Sequence, residues 1–133
     1  MATQRNLADL KEAYRLFAEG NPQGFVDIFS SDIELRYFGP ADAIPWAGDF
    51  HGYQGVAEFF TRFTKVVGIF EYQPREFIAG GDKVVVLGTV RARGRDSGKP
   101  IDAHWAHVLT FRREQAVALH IYSDTAAVAA AIR

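Results

Sequence analysis

KVVVLGTVRARGRDSGKPIDAHWAHVLTFRREQAVALHIYS, residues 83–123, decides the fold. Apolar residues alternate through three runs, Lys83–Arg95, Ile101–Arg112 and Ala116–Ser123. Period-two alternation predicts β-strands, because successive side chains of a strand point to opposite faces. The breaks between the runs, DSGK at 96–99 and RREQ at 112–115, are short and polar. Breaks this short leave no room for a crossover, so the strands are antiparallel neighbours in chain order. A fourth strand precedes them, IFEYQPREFIA at 69–79, joined through the turn GGD at 80–82. Its Pro74 cannot donate to a ladder, which implies a sheet edge or a bulge.

Both faces of this meander are apolar. Val84 and Val86 point one way, Val85 and Leu87 the other. Trp105, His107, Leu109 and Phe111 share one face of their strand, and His104, Ala106, Val108 and Thr110 share the other. One face is expected to pack on helices. The other is too apolar for water, so a homodimer joined sheet to sheet is expected.

Those helices lie upstream. Thr3 or Asn6 caps a first one, whose Leu7, Leu10, Tyr14 and Phe17 recur at helical spacing before Gly20 and Asn21 stop it. Pro22 starts a short second helix through Phe29. SSD at 30–32 reads as a turn, and Ile33–Phe38 as a strand. GPADAIPWAGDFHG, 39–52, reads as a loop from its Gly and Pro content. It also carries Trp46 and Phe50, so it is expected to fold over something. Tyr53–Val67 is the clearest helix, with an aromatic face of Phe59, Phe60 and Phe63. After the last strand, Asp124 caps a terminal helix, TAAVAAAI. The expected fold is α+β: a cone-shaped, curved antiparallel sheet wrapped on one side by three helices from the N-terminal half.

Bulk properties narrow the function. The 133 residues suit a single domain, 1–133. Hydrophobic residues make up 48%, with eleven Phe, five Tyr and two Trp, enough to fill a core or to line a cavity. The net charge of −1 lacks the basic excess of a nucleic-acid binder. The absence of cysteine excludes disulfides, a thiol nucleophile and thiolate metal sites. No apolar run is long enough for a membrane span, and MATQRNLADLKEAYR lacks the apolar core of a signal peptide. A cytoplasmic protein without nucleic-acid or membrane partners is expected.

Several stretches together resemble one family. AYRLFAEGN, FVDIFSSDIELRY, IPWAG with HGYQGVAEFF, PREFIAGGDKVVVLG, HWAHVLTF and IYSDTAAV span nearly the whole chain in order. They resemble the cone-shaped superfamily of nuclear transport factor 2, and within it the SnoaL-like branch, which includes polyketide cyclases and sits close to ketosteroid isomerases. The fold hosts isomerases, cyclases, epoxide hydrolases and non-catalytic proteins, so function rests on the site residues.

Each chemistry that the resemblance implies makes a demand on particular positions. The carboxylate base of the ketosteroid isomerases falls on Tyr37. Their protonated aspartate falls near His107, and their helical tyrosine falls next to Tyr14. Steroid isomerisation is therefore not expected. The Asp–Arg–Asp arrangement of the epoxide hydrolases would draw on Arg91, Arg93 and Asp102, which also read as solvated charges at a sheet rim.

SnoaL-like chemistry needs a carboxylate acid/base in an apolar pocket and a donor to an enolate oxygen, with no cofactor. Asp124 and His107 are the candidate catalytic pair, because burial among aromatics raises a carboxyl pKa into a useful range. The alternative is that Asp124 only caps its helix, accepting backbone N–H bonds that lower its pKa, while His107 is a hydrogen-bonded core residue. Tyr14, Tyr37, Trp46, Phe59, Phe63 and Trp105 are the candidate lining of a pocket for a small hydrophobic molecule. No metal site is expected: His104 and His107 lie on opposite strand faces, and no HExxH spacing occurs.

Overall fold

A computed structural model describes residues 2–133. The chain begins with helix α1 (Gln4–Ala18), capped as its sequence predicts. The Thr3 hydroxyl accepts from the Asn6 N–H at 3.0 Å, and the Asn6 side chain accepts in return from the Thr3 N–H at 2.8 Å. Asn6 is fully buried and also donates to the Arg113 carbonyl at 2.9 Å, which straps the start of α1 to a distant turn. A short α2 (Gln23–Ile28) follows and buries Phe25 and Ile28.

Strand β1 (Phe29–Tyr37) then runs into the segment that ends in β2 (Gly48–His51), and α3 (Gly52–Val66) follows. Two expectations are corrected here. Ser30–Asp32 belong to β1 rather than to a turn. The sequence signal at these residues reflects a break in register between Phe29 and Glu34, where β1 bends along its neighbour. The stretch 39–52 is not all loop either, because Gly48–His51 pair with Glu34–Tyr37. The positive φ of Gly48 and Gly52, at 124° and 68°, brackets this strand and accounts for the glycines that made it read as irregular.

The meander forms as predicted: β3 (Val67–Gly80), β4 (Lys83–Gly94), β5 (Pro100–Arg112) and β6 (Gln115–Ser123), then α4 (Thr125–Ile132). The six strands form one curved, unclosed sheet in the order β2-β1-β6-β5-β4-β3. Every pair is antiparallel except β1 with β6, which is parallel. Pro74 satisfies both readings made for it. It lies on the edge strand β3, and the register against β4 shifts between Pro74 and Glu76.

Strand β5 shows how the core is divided. Ile101, Ala103, Trp105, His107, Leu109 and Phe111 are buried on the inner face, and the residues between them are exposed or half-buried. Helices α1, α2 and α3 lie against that inner face. The Tyr14 ring of α1 stacks on Trp105 at 5.8 Å between centroids, Phe25 of α2 meets Tyr14 edge-on at 4.8 Å, and Phe59 of α3 contacts Tyr37 at 6.2 Å. No helix among the described residues is long and apolar enough to cross a membrane.

Candidate functional site

The three helices and the inner sheet face do not close completely. Between them lies a cavity of about 90 Å³. Phe17 and Phe25 reach it from the first two helices, Phe59, Phe60 and Phe63 from α3, and Tyr37, Tyr72, Trp105 and His107 from the sheet. Trp46, carried on the segment before β2, is almost fully buried and packs edge-on against Phe63 at 5.0 Å. Trp46 thus gives that segment a buried anchor in the cavity lining. Among the described residues, no Asp, Glu, Lys or Arg lines the space.

The volume sets a limit. A dry cavity of roughly 150 Å³ holds benzene, so the space as folded is slightly small for one ring. Phe17, Phe60 and Tyr72 form one cluster in its lining. They are half-buried, and Phe17 contacts Phe60 at 5.9 Å and Tyr72 at 4.9 Å.

The polar groups of the cavity centre on His107. Its Nδ1 lies 2.5 Å from the Tyr14 hydroxyl and its Nε2 lies 3.1 Å from the Tyr72 hydroxyl. Trp105 stacks on the imidazole at 4.2 Å. Burial lowers the His107 pKa to about 3, so the ring is neutral at physiological pH. Burial likewise raises Tyr14 and Tyr72 well above the usual phenol value, and the nearby phenols Tyr72 and Tyr37 add to those respective rises. Tyr37 is raised by burial, offset in part by Trp46 and Ser123. The Trp46 indole biases that hydroxyl without closing a hydrogen bond, since Trp46 Nε1 and Trp105 Nε1 are both buried without a partner. The cavity is thus an uncharged aromatic box.

The candidate residues divide. Tyr37, Trp46, Phe59, Phe63, Trp105 and His107 all line the cavity. Tyr14 stands behind His107 and reaches the space only through it. Asp124 is exposed at the start of α4, where its carboxylate accepts from the Ala127 N–H at 3.2 Å. No hydrogen bond joins it to His107, so the fold assembles a Tyr14–His107–Tyr72 chain in place of an Asp124–His107 pair. Arg91, Arg93 and Asp102 are exposed and do not line the cavity. Arg91 instead faces Glu71 at 3.9 Å, and Arg93 lies over the Phe70 ring at 5.0 Å. His51 pairs with Glu34 at 2.6 Å on the exposed surface. Among the described residues, no three His, Asp or Glu side chains cluster closely enough to hold a metal ion.

Sequence reasoning missed Tyr72. Strict alternation along IFEYQ gives Tyr72 the same face as Phe70. In β3, however, Ile69 pairs with Ala92 and Glu71 with the next residue, Arg91. Phe70 is therefore an extra, bulged residue, 66% exposed, and the side chains from Glu71 to Pro74 change face until the second register shift before Glu76 restores the alternation. The only available signal was Pro74, which marked the strand as irregular without placing the bulge.

Comparison with known proteins agrees with this architecture. The family model of the SnoaL-like domain matches residues 10–120. Among curated proteins, none matches the sequence. Similar solved structures include an NTF2-like protein of unknown function from Burkholderia pseudomallei K96243, with a TM-score of 0.89 at 24% identity over 98% of each chain. An NTF2-like protein from Burkholderia xenovorans LB400 gives a TM-score of 0.84 at 27% identity, covering 100% of this chain and 99% of that one. TerC, co-crystallised with polyporic acid, gives 0.88 at 26% identity, covering 97% of this chain and 98% of that one.

Proposed function

The chain belongs to the SnoaL-like domain family, and from that premise we propose that it binds a small, flat, uncharged aromatic molecule in the cavity between its helices and the inner sheet face. One observation carries the reading: among the described residues the wall is aromatic and holds no charged side chain, its polar groups being the Tyr37 and Tyr72 hydroxyls, Ser123 and His107. A buried charge without a partner costs several kcal/mol, so such a wall selects neutral ligands. TerC, a similar structure, was co-crystallised with polyporic acid, which supports a small-molecule ligand.

Tyr72 is the group placed to act on that ligand, by donating a hydrogen bond to its oxygen, with His107 behind it as its own partner. Proton transfer at a carbon next to a carbonyl would need a base at the ligand. Asp124 accepts from its own helix, and His107 has both ring nitrogens engaged. Binding with polarisation of an oxygen is therefore the better reading, ahead of cyclisation or isomerisation by an Asp124–His107 pair.

The chain's two tryptophans both line the cavity, which supplies the test. Acetophenone, a one-ring ketone, should quench tryptophan fluorescence saturably and raise the thermal midpoint. Quenching that rises linearly with concentration, as for free tryptophan, with no change in melting, refutes the pocket.

The rest of the reading is of one piece. We take 1–133 as one domain, cytoplasmic in keeping with its cysteine-free sequence, and dimeric through the outer sheet face. That face presents a row of residues, Glu76, Leu87, Ala106 and Tyr122, that are neighbours across β3 to β6. Next to this row Ile78 pairs with Val85 and Val85 with Val108. Ile78 is 52% exposed and Tyr122 43%, a large apolar surface for an isolated chain.

A further inference from the structure

A neutral imidazole has one N–H and one bare nitrogen, so the chain of Tyr14, His107 and Tyr72 can be wired in two directions. In the first, Tyr14 donates its O–H to Nδ1, and Nε2–H donates to the Tyr72 oxygen. The Tyr72 proton is then left free. In the second, Nδ1–H donates to Tyr14, Tyr72 donates to Nε2, and the Tyr14 proton is left free. The two ends of the chain are not equivalent. Tyr14 is 1% exposed, and among the described residues its hydroxyl has one partner, His107. Tyr72 is half-buried and lines the cavity. An orphan proton on Tyr14 would be sealed in the core, whereas one on Tyr72 faces the space where a ligand sits. The cost of a buried unsatisfied donor favours the first wiring by roughly 5- to 150-fold.

We infer that Tyr14 is a positioning residue which holds His107 in its Nε2–H form and so turns the Tyr72 hydroxyl proton into the cavity, making the site a receptor for an oxygen that accepts, as in a ketone or quinone, rather than one that donates. In this wiring His107 has no free acceptor site to offer, with one nitrogen receiving from Tyr14 and the other giving to Tyr72. Each bond in such a chain also polarises the next, so Tyr14 strengthens a donor it never touches.

The inference rests on the proposed pocket for its ligand class, but its wiring is read on the unliganded protein. Long-range proton–nitrogen NMR of histidine-labelled protein gives the tautomer of His107 directly. The expected result is a single Nε2–H form with Nδ1 shifted by an accepted hydrogen bond. Tyr14→Phe should turn it into a mixture of the two forms. An Nδ1–H form in the unmodified protein overturns the inference, whatever binds in the cavity.

The second arm compares acetophenone with α-methylstyrene, its near-isostere lacking the oxygen. The ketone should bind about fivefold more tightly, the worth of one neutral hydrogen bond. Tyr72→Phe should abolish that preference, and Tyr14→Phe should reduce it. Equal binding of the two probes removes the acceptor selectivity even if the pocket itself is real. Failure of both probes to bind removes the pocket and the ligand class, while the NMR result still decides the wiring.

Discussion

His107 is a histidine whose charge has been designed out by its surroundings, and this has a consequence for stability. Its folded pKa of about 3 lies below the unfolded value of 6.5. Between these values the unfolded chain binds a proton that the folded chain refuses. Stability therefore rises with pH in this window and is lost as pH falls from 6.5 toward 3. The expected loss between pH 7 and pH 4 is roughly 3 kcal/mol from this residue alone. Urea denaturation at the two pH values checks it. His107→Gln, even if less stable throughout, should show a flatter profile, and an unchanged slope would remove His107 as its source. At the scale of single residues the sequence was informative about type but not about partnership. Asp124 was legible as a helix cap because a cap is a local matter of a few residues. His107 was legible as unusual on an apolar strand. Its partners, Tyr14 and Tyr72, lie 93 and 35 residues away and no local pattern joins them.

Among the elements, β4 shows how a strand shapes the pocket by omission. Gly88 stands opposite Trp105 in the ladder and opposite Pro74 on the other side. A Cβ at Gly88 would lie 2.2 Å from the Trp105 ring and 2.5 Å from the Gln73 carbonyl oxygen. The indole lies against this glycine, and a methyl group there has no room beside either the ring or the Gln73 carbonyl. Gly88→Ala is expected to cost about 1–3 kcal/mol, as overpacking does, and to tilt Trp105 away from its stack on His107. Thermal melting together with a changed tryptophan emission maximum would show both effects. Loss of stability without a spectral change would mean that the backbone yields instead of the ring. Helices and long strands were readable because periodicity is preserved along them, as in α3 and β5. Strands β2 and the irregular part of β3 were not, because four residues carry little period and a bulge reverses it.

For the whole molecule, the proposed dimer is the first matter to settle. Ile78→Lys and Leu87→Lys place charge on the outer face without touching the cavity lining. The unmodified protein should elute and scatter light as a dimer and the double variant as a monomer that keeps its fold. A monomer in both cases discards the dimer. The overall cone was legible in the sequence because turn lengths fix neighbours in the meander. The seating of β1 was not, since parallel pairing with β6 joins strands from opposite ends of the chain and leaves no signature in either.

That pairing bears on how the protein comes into being. Strand β1 and its companion β2 reach the rest of the sheet only through β6, and Asn6 finds its long-range partner at Arg113. On the ribosome the segment that carries β1 and β2 must therefore wait, with its aromatic face exposed, until β6 has emerged. Long-range pairings of this kind slow folding and prolong the risk of aggregation. The nascent chain is thus most vulnerable during synthesis, and a stalled product ending before β6 would have no seat for β1 and would be a natural client for chaperones.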